Sequence, residues 1–199
     1  MRSRSYISVQ AARRFLVVVI AFEMFLVAVF LANSIVGEPS RTFHELFDLD
    51  GEKNIPALFS SAQLFLVGIV FLSMAYQPRQ LHFPSPRFLA ALGMAFIFLS
   101  FDEAISIHEH ITKSLVHIEW IPRFKGNHGI WVAPYLFVGS VFFLLTFREL
   151  LTMWRNSRRA MNIMVLGFTI FLLGVVGMEI ISFQFLRGGA PLRIFTNWK

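Results

Sequence analysis

Cysteine is absent from this chain of 199 residues, and charged side chains are scarce. The lack of cysteine excludes disulfides, thiolate metal ligands and thiol nucleophiles. Asp, Glu, Lys and Arg together make up 15% of the residues, whereas hydrophobic residues make up 56% and Phe alone occurs 24 times. Soluble globular domains carry about 25% charged residues. The composition is therefore too apolar for a soluble domain of this size and indicates a membrane protein.

Long apolar runs occur five times along the chain. A helix needs about 20 residues to cross a hydrocarbon core of about 30 Å. The runs of about this length lie near residues 15–35, 57–76, 88–107, 131–147 and 161–184. We predict an all-α fold, a polytopic bundle of about five transmembrane helices that forms a single membrane domain over residues 1–199. The first run is longer than the roughly 7 to 15 apolar residues of a signal peptide, so we expect an uncleaved helix.

Basic residues predict the orientation of the bundle. They concentrate before the first helix, between helices 2 and 3, and between helices 4 and 5, at Arg2, Arg4, Arg13, Arg14, Arg79, Arg87, Arg148, Arg155, Arg158 and Arg159. Because such segments stay in the cytoplasm, we expect the N-terminus inside and the C-terminus outside. The net charge of +6 is spread over helix ends, where anionic lipid headgroups meet it. The expected partner of these charges is the lipid bilayer, and no nucleic acid.

Acidic and histidine side chains crowd the end of the third apolar run. Asp102 and Glu103 close the run, and His108, Glu109 and His110 follow. Carboxylates near the hydrocarbon are costly and are by default a functional hypothesis. On a continuous helix Asp102 shares a face with Glu109, and Glu103 with His110. Since seven residues separate the Cα atoms of each pair by roughly 10 Å, neither pair chelates an ion by itself.

Other predicted helices bring polar groups to the same depth. Counting about 1.5 Å per residue from the helix ends places side chains of helices 2, 4 and 5 at this level. The predicted outer-leaflet cluster contains Gln63, Asp102, Glu103, His108, Glu109, Tyr135 and Glu179, with His128 above it. Glu23 of the first helix lies nearer the inner face by the same count. We expect Glu23 to be a hydrogen-bonded residue between helices rather than a ligand.

Short signatures in helices 2 and 3 carry a family resemblance. Asn54-Ile55-Pro56 precedes Phe59-Ser60-Ser61, and Leu99-Ser100-x-Asp102-Glu103 precedes His108-Glu109. With these signatures the chain resembles a group of uncharacterised bacterial integral membrane proteins. The resemblance implies a multi-pass protein of the bacterial cell inner membrane and a role for the acids and histidine of the second signature. It implies no activity.

The first functional hypothesis is a metal-dependent membrane hydrolase. Carboxylates and histidine hold a divalent metal such as zinc, which activates water. Asp102, His108 and Glu179 are the candidate metal ligands, and Glu103 or Glu109 is the candidate general base. Gln63, Tyr135 and His128 would form a supporting polar layer. The His-x-x-x-His ligand pair found on helices of many metal hydrolases is absent from this segment.

Two alternatives require no metal. In a proton relay or small transporter, Asp102 and Glu103 are coupled so that their protons leave in separate steps. In a noncatalytic accessory or assembly subunit, the acidic outer segments engage membrane protein partners. The sequence leaves open whether the protein is an enzyme.

Overall fold

The computed structural model is all-helical in the residues that it describes, 9–36, 40–49, 51–77, 84–123 and 129–180. These residues form seven helices and no strand. The helices are α1 (Val9–Val36), α2 (Arg41–Phe47), α3 (Ile55–Tyr76), α4 (Pro86–Ile105), α5 (Ile107–Leu115), α6 (Val132–Asn156) and α7 (Arg158–Ile180). The predicted all-α fold is confirmed.

Four helical segments are long and apolar enough to cross a membrane. They are Gln10–Asn33, Ile55–Tyr76, Pro86–Ile105 and Val132–Asn156. Large apolar side chains cover their surfaces, for example Phe137 on α6, which is 70% exposed. Such exposed apolar surface suits contact with lipid. The fifth predicted run overlaps α7, and its last residues, 181–184, lie outside the described residues.

Helices α3 and α4 form a closely packed antiparallel hairpin. The Ser61 hydroxyl donates to the Ser100 carbonyl at 2.8 Å, and the Ser100 hydroxyl donates to the Ser61 carbonyl at 2.8 Å. Gly68, seven residues after Ser61, faces Gly93, seven residues before Ser100, and a Cβ atom on either glycine would lie 2.9 Å from the carbonyl oxygen of the other. Both pairs belong to one register. Small residues thus bring the two backbones together, as in other membrane helix pairs.

Side-chain caps define where α3 and α4 begin. Asn54 accepts a hydrogen bond from the backbone N–H of Ala57 at 3.0 Å, and Ser85 accepts one from Phe88 at 3.2 Å. Such caps satisfy N–H groups that have no partner within the helix. Pro56 occupies the first turn of α3, as its position in the sequence predicts.

The third predicted helix, 88–107, ends in a break, so residues 102–110 do not lie on one continuous helix. Helix α4 ends at Ile105, and Ser106 adopts a left-handed conformation with φ 60° and ψ 47° before α5 begins. The N–H of Ser106 donates to the carbonyl of Asp102 at 2.7 Å and closes the end of α4. Left-handed residues are usually Gly or Asn, so a serine gives no sequence signal for this break.

The break also separates the two pairs of residues that a continuous helix would place on one face. Glu109 pairs with Lys113 at 2.9 Å instead of facing Asp102. The ring of His110 donates from Nδ1 to the Ser106 carbonyl at 2.8 Å instead of facing Glu103. Both side chains therefore bond to α5 or to the residue that precedes it, and not to Asp102 or Glu103.

We expect Gly93→Ala to destabilise the α3–α4 hairpin by about 1 to 3 kcal/mol, because the added methyl group meets backbone across the interface. Gly139→Ala on α6 is the matched control, since a Cβ atom there has no neighbour within 4 Å. Thermal unfolding of the purified protein in mild detergent measures the difference. Equal unfolding temperatures for the two variants would contradict the packing described for the hairpin.

Candidate functional site

Asp102 joins the end of α4 to the start of α5. Its Oδ1 atom accepts the backbone N–H of His108 at 2.7 Å and lies 3.2 Å from Nδ1 of the same residue. That backbone N–H belongs to the first turn of α5, where no carbonyl within the helix can accept it. The Ser106 side chain makes no capping hydrogen bond. Asp102 therefore caps α5 in place of Ser106 and fixes the imidazole of His108 beside its own carboxylate.

Glu52 approaches the same imidazole from the turn before α3. Its Oε1 atom lies 3.0 Å from Nε2 of His108. Each ring nitrogen of His108 thus lies within 3.2 Å of a carboxylate oxygen, which favours the doubly protonated imidazolium. We call Glu52, Asp102, Glu103 and His108 the acid–imidazole cluster.

The turn that carries Glu52 is held by Asn54. Besides capping α3, Asn54 donates from Nδ2 to the carbonyl of Asp48 at 2.6 Å. Gly51 packs against this amide so closely that a Cβ atom would lie 2.9 Å from Nδ2, and Lys53 has a positive φ of 59°. These contacts fix the backbone on both sides of Glu52.

Glu103 completes the cluster on the side of α3. Its carboxylate is close enough to His108, Asp102 and Glu52 to interact with their charges, and it lies near the hydroxyl of Ser60. Ser60 precedes the Ser61 that pairs with Ser100. The register of the hairpin therefore sets the position of Glu103.

Aromatic side chains of α6 and its preceding residue cover the cluster. The ring of Trp131 lies edge-on to His108, with centroids 5.4 Å apart, and is perpendicular to Tyr135 at 5.3 Å. The Tyr135 hydroxyl lies beside Asp102, but it is buried and has no hydrogen-bond partner among the described residues. The aromatic rings limit access of water to one side of the imidazole.

The exposed fraction of the side chain falls from Glu52 through His108 to Asp102. The side chain of Glu52 is 29% exposed, that of His108 25% and that of Asp102 11%. The cluster thus has one end nearer to solvent and one end nearer to the interior of the hairpin.

The charges of the cluster shift the pKa of His108. Burial by itself lowers this pKa, but the hydrogen bond to Asp102 and the negative charges of Asp102, Glu52 and Glu103 outweigh burial and raise it above the ordinary value. On α5, the hydrogen bond from Lys113 lowers the pKa of Glu109. His108 is therefore the cation of the cluster, and Glu109 stays a solvated anion outside it.

The predicted site residues are brought together only in part. Asp102, Glu103, His108 and Tyr135 converge. Glu109 is exposed and pairs with Lys113, and Gln63 donates to Glu23 of α1 at 3.1 Å. The hydrogen bond between helices that was expected for Glu23 is therefore confirmed.

Two predicted residues and the metal set stay untested. His128 lies outside the described residues, and of Glu179 the structure describes the helical backbone but not the side chain. In the described part of the chain, no three His, Asp or Glu side chains are grouped to hold a metal ion. The proposed ligand set of Asp102, His108 and Glu179 stays a prediction.

The sequence prediction missed Glu52, Ser60 and Trp131 as members of the site. Glu52 was not predicted because it is one of several acids in a turn. Trp131 was not predicted because its position is that of an aromatic anchor at the membrane interface. Only the break at Ser106 brings His108 within reach of Glu52, and nothing in the hydrophobic pattern marks that break. The acidic turn beside the Asn-Ile-Pro signature was the one available signal.

A family model supports the assignment of the whole chain. The model, described as a domain of unknown function (DUF8692), matches residues 14–196. The chain belongs to this family. The match agrees with the resemblance to uncharacterised proteins, while the short signatures stay a prediction. No match was found among curated proteins or among solved structures.

We expect His108 to titrate above the ordinary histidine pKa of about 6.5, and Glu52→Gln or Asp102→Asn to lower its pKa. Because the folded-state pKa is raised, the stability that His108 contributes is complete below the unfolded pKa and is lost as the pH rises through the folded pKa. NMR of protein with isotope-labelled histidine measures the titration, and His108→Gln identifies the signal. Glu45→Gln, which removes an exposed acid paired with Arg41, is the control. An unchanged His108 titration in both cluster variants would refute the double contact.

Proposed function

We propose that this protein spans the bacterial inner membrane with five helices and relays protons through the acid–imidazole cluster. The observation that carries the proposal is the position of His108 between two carboxylates of unequal exposure, Glu52 and Asp102. Imidazole exchanges protons near neutral pH and has two nitrogens, so it can receive a proton on one side and release one on the other. The unequal exposure means that the path joins the solvent side to the hairpin interior.

The proposed topology places the cluster at the outer surface. Four apolar helices are long enough to span, and α7 is proposed as the fifth. The arginines of the α6–α7 connection and those before the first span would lie in the cytoplasm. The start of α3 and the end of α4 would then face the outside, where Glu52 meets water.

The transfer through His108 conserves protons at each step. His108 starts as the imidazolium, which the negative charge of Glu103 stabilises. It releases its Nδ1 proton to Asp102 and is left as the neutral tautomer with its proton on Nε2. After exchange of the ring tautomers, Nε2 accepts a proton from Glu52, which becomes a carboxylate, and the imidazolium is restored.

The arrangement favours the relay over the other hypotheses. A metal ligand must present a free lone pair on a ring nitrogen, whereas both nitrogens of His108 face carboxylates in this structure. A divalent metal bound by Asp102, His108 and Glu179 requires His108 to leave Glu52. An accessory subunit requires no imidazole held between two acids.

Purified protein reconstituted into vesicles that contain a pH-sensitive dye should accelerate the decay of an imposed pH gradient. We expect His108→Gln and Asp102→Asn each to slow the protein-dependent rate by about tenfold or more, since a positioned acid–base group typically contributes at least that much. Glu45→Gln should leave the rate unchanged.

Two results would overturn the relay. The first is a wild-type rate equal to that of empty vesicles. The second is one tightly bound divalent metal per chain, lost in Asp102→Asn and in His108→Gln, which would support the metal-dependent hydrolase instead.

A further inference from the structure

A second acidic group lies on α1 and is joined to α3. The Gln63 side chain donates from Nε2 to Oε1 of Glu23 at 3.1 Å. Directly beside this bond the ring of Phe22 packs on the ring of Phe59, with centroids 4.5 Å apart. Phe59 and Gln63 are one helical turn apart on α3, so two adjacent residues of α1 contact one face of α3. These contacts fix the position of Glu23 relative to the hairpin.

Glu23 lies near the middle of its span. In the apolar segment Gln10–Asn33, it stands about 20 Å from the first residue and about 15 Å from the last, at 1.5 Å per residue. An acidic side chain at this depth is costly in its charged form and is by default a functional hypothesis. Among the described residues no ion pair involves Glu23, and its hydrogen-bond partner on α3 is the neutral Gln63 amide.

One turn of α3 connects Glu23 to the acid–imidazole cluster. The hydroxyl of Ser60 lies near the carboxylate of Glu103, and the Gln63 amide donates to Glu23. Residues three apart on a helix are neighbours, with Cβ atoms about 5 to 6 Å apart. The two contacts thus occupy adjacent positions on the same helix, one facing α4 and the other facing α1.

We propose that Glu23 is the proton acceptor in the membrane interior that receives protons from the acid–imidazole cluster. This inference rests on the proposed relay. The proton that Asp102 has taken from His108 passes to the carboxylate of Glu103, then along hydrogen-bonded water at the Ser60 hydroxyl, and is taken up by the carboxylate of Glu23. Asp102 and Glu103 end as carboxylates and Glu23 as a carboxylic acid. The Gln63 amide occupies Oε1 as a donor and leaves Oε2 to accept the proton, so Gln63 is a positioning residue.

Proton flux into dye-loaded vesicles tests the role of Glu23. Glu23→Gln, which keeps the size and polarity of the side chain but cannot carry the proton, should lower the protein-dependent flux by about tenfold or more. Glu23→Asp should retain most of the flux, and Gln63→Leu should lower it several-fold. Glu45→Gln is the matched control for loss of an acid outside the path. Circular dichroism and gel filtration of each variant establish that it is folded.

Infrared difference spectroscopy provides a second readout that does not depend on flux. Raising the pH of wild-type protein should remove a carbonyl-stretch band of protonated carboxyl groups. Part of this band should be absent in Glu23→Gln. The same part should be present in Glu45→Gln.

The outcomes separate the two proposals. If wild-type flux is lost in His108→Gln but unchanged in Glu23→Gln, the relay stands and the role of Glu23 is refuted. An infrared band unaffected by Glu23→Gln refutes it as well. If the wild type conducts no protons, both proposals fall.

Discussion

The capping of α5 by the Asp102 carboxylate is the interaction on which the site depends. It accepts the backbone N–H of His108 at 2.7 Å and satisfies a donor that the first turn of a helix leaves unpaired. A carboxylate is also the favoured group at that end of the helix dipole. The same oxygen orients the imidazole, which turns its other nitrogen to Glu52. One buried acid, Asp102, thus stabilises the helix break at Ser106 and aligns the three groups proposed to carry a proton.

The α3–α4 hairpin supplies the rigid support for this cap. The serine pair and the glycine pair set one antiparallel register. In that register the first turn of α3 lies beside the last turn of α4. Ser60 consequently reaches Glu103, and the turn held by Asn54 brings Glu52 to His108. Because the cluster draws on both helices at this end of the hairpin, a shift of register would separate its members.

The sequence predicted the spans better than the site, for a physical reason. Apolar length alone indicates a membrane helix, and the four spans agree with predicted runs to within a few residues at most of their ends. The exceptions are the start of the first span and the end of α6, which extends to Asn156 beyond the apolar part. The importance of Asp102, Glu103 and His108 followed from the cost of acids near hydrocarbon. Their geometry did not follow, because a single left-handed serine redirects His108. Glu52 reaches the site through tertiary contacts that no periodicity encodes.

The most direct test of the account is a double-mutant cycle between Glu52 and His108. Glu52→Gln, His108→Gln and the double variant are unfolded in detergent at a pH below the ordinary histidine pKa of about 6.5, where the imidazolium is populated in wild type. The account predicts a coupling free energy of about 0.5 to 3 kcal/mol, the range for residues in direct contact. It also predicts that this coupling declines as the pH rises through the raised pKa of His108. Additive effects of the two substitutions at every pH would contradict the placement of His108 between two carboxylates.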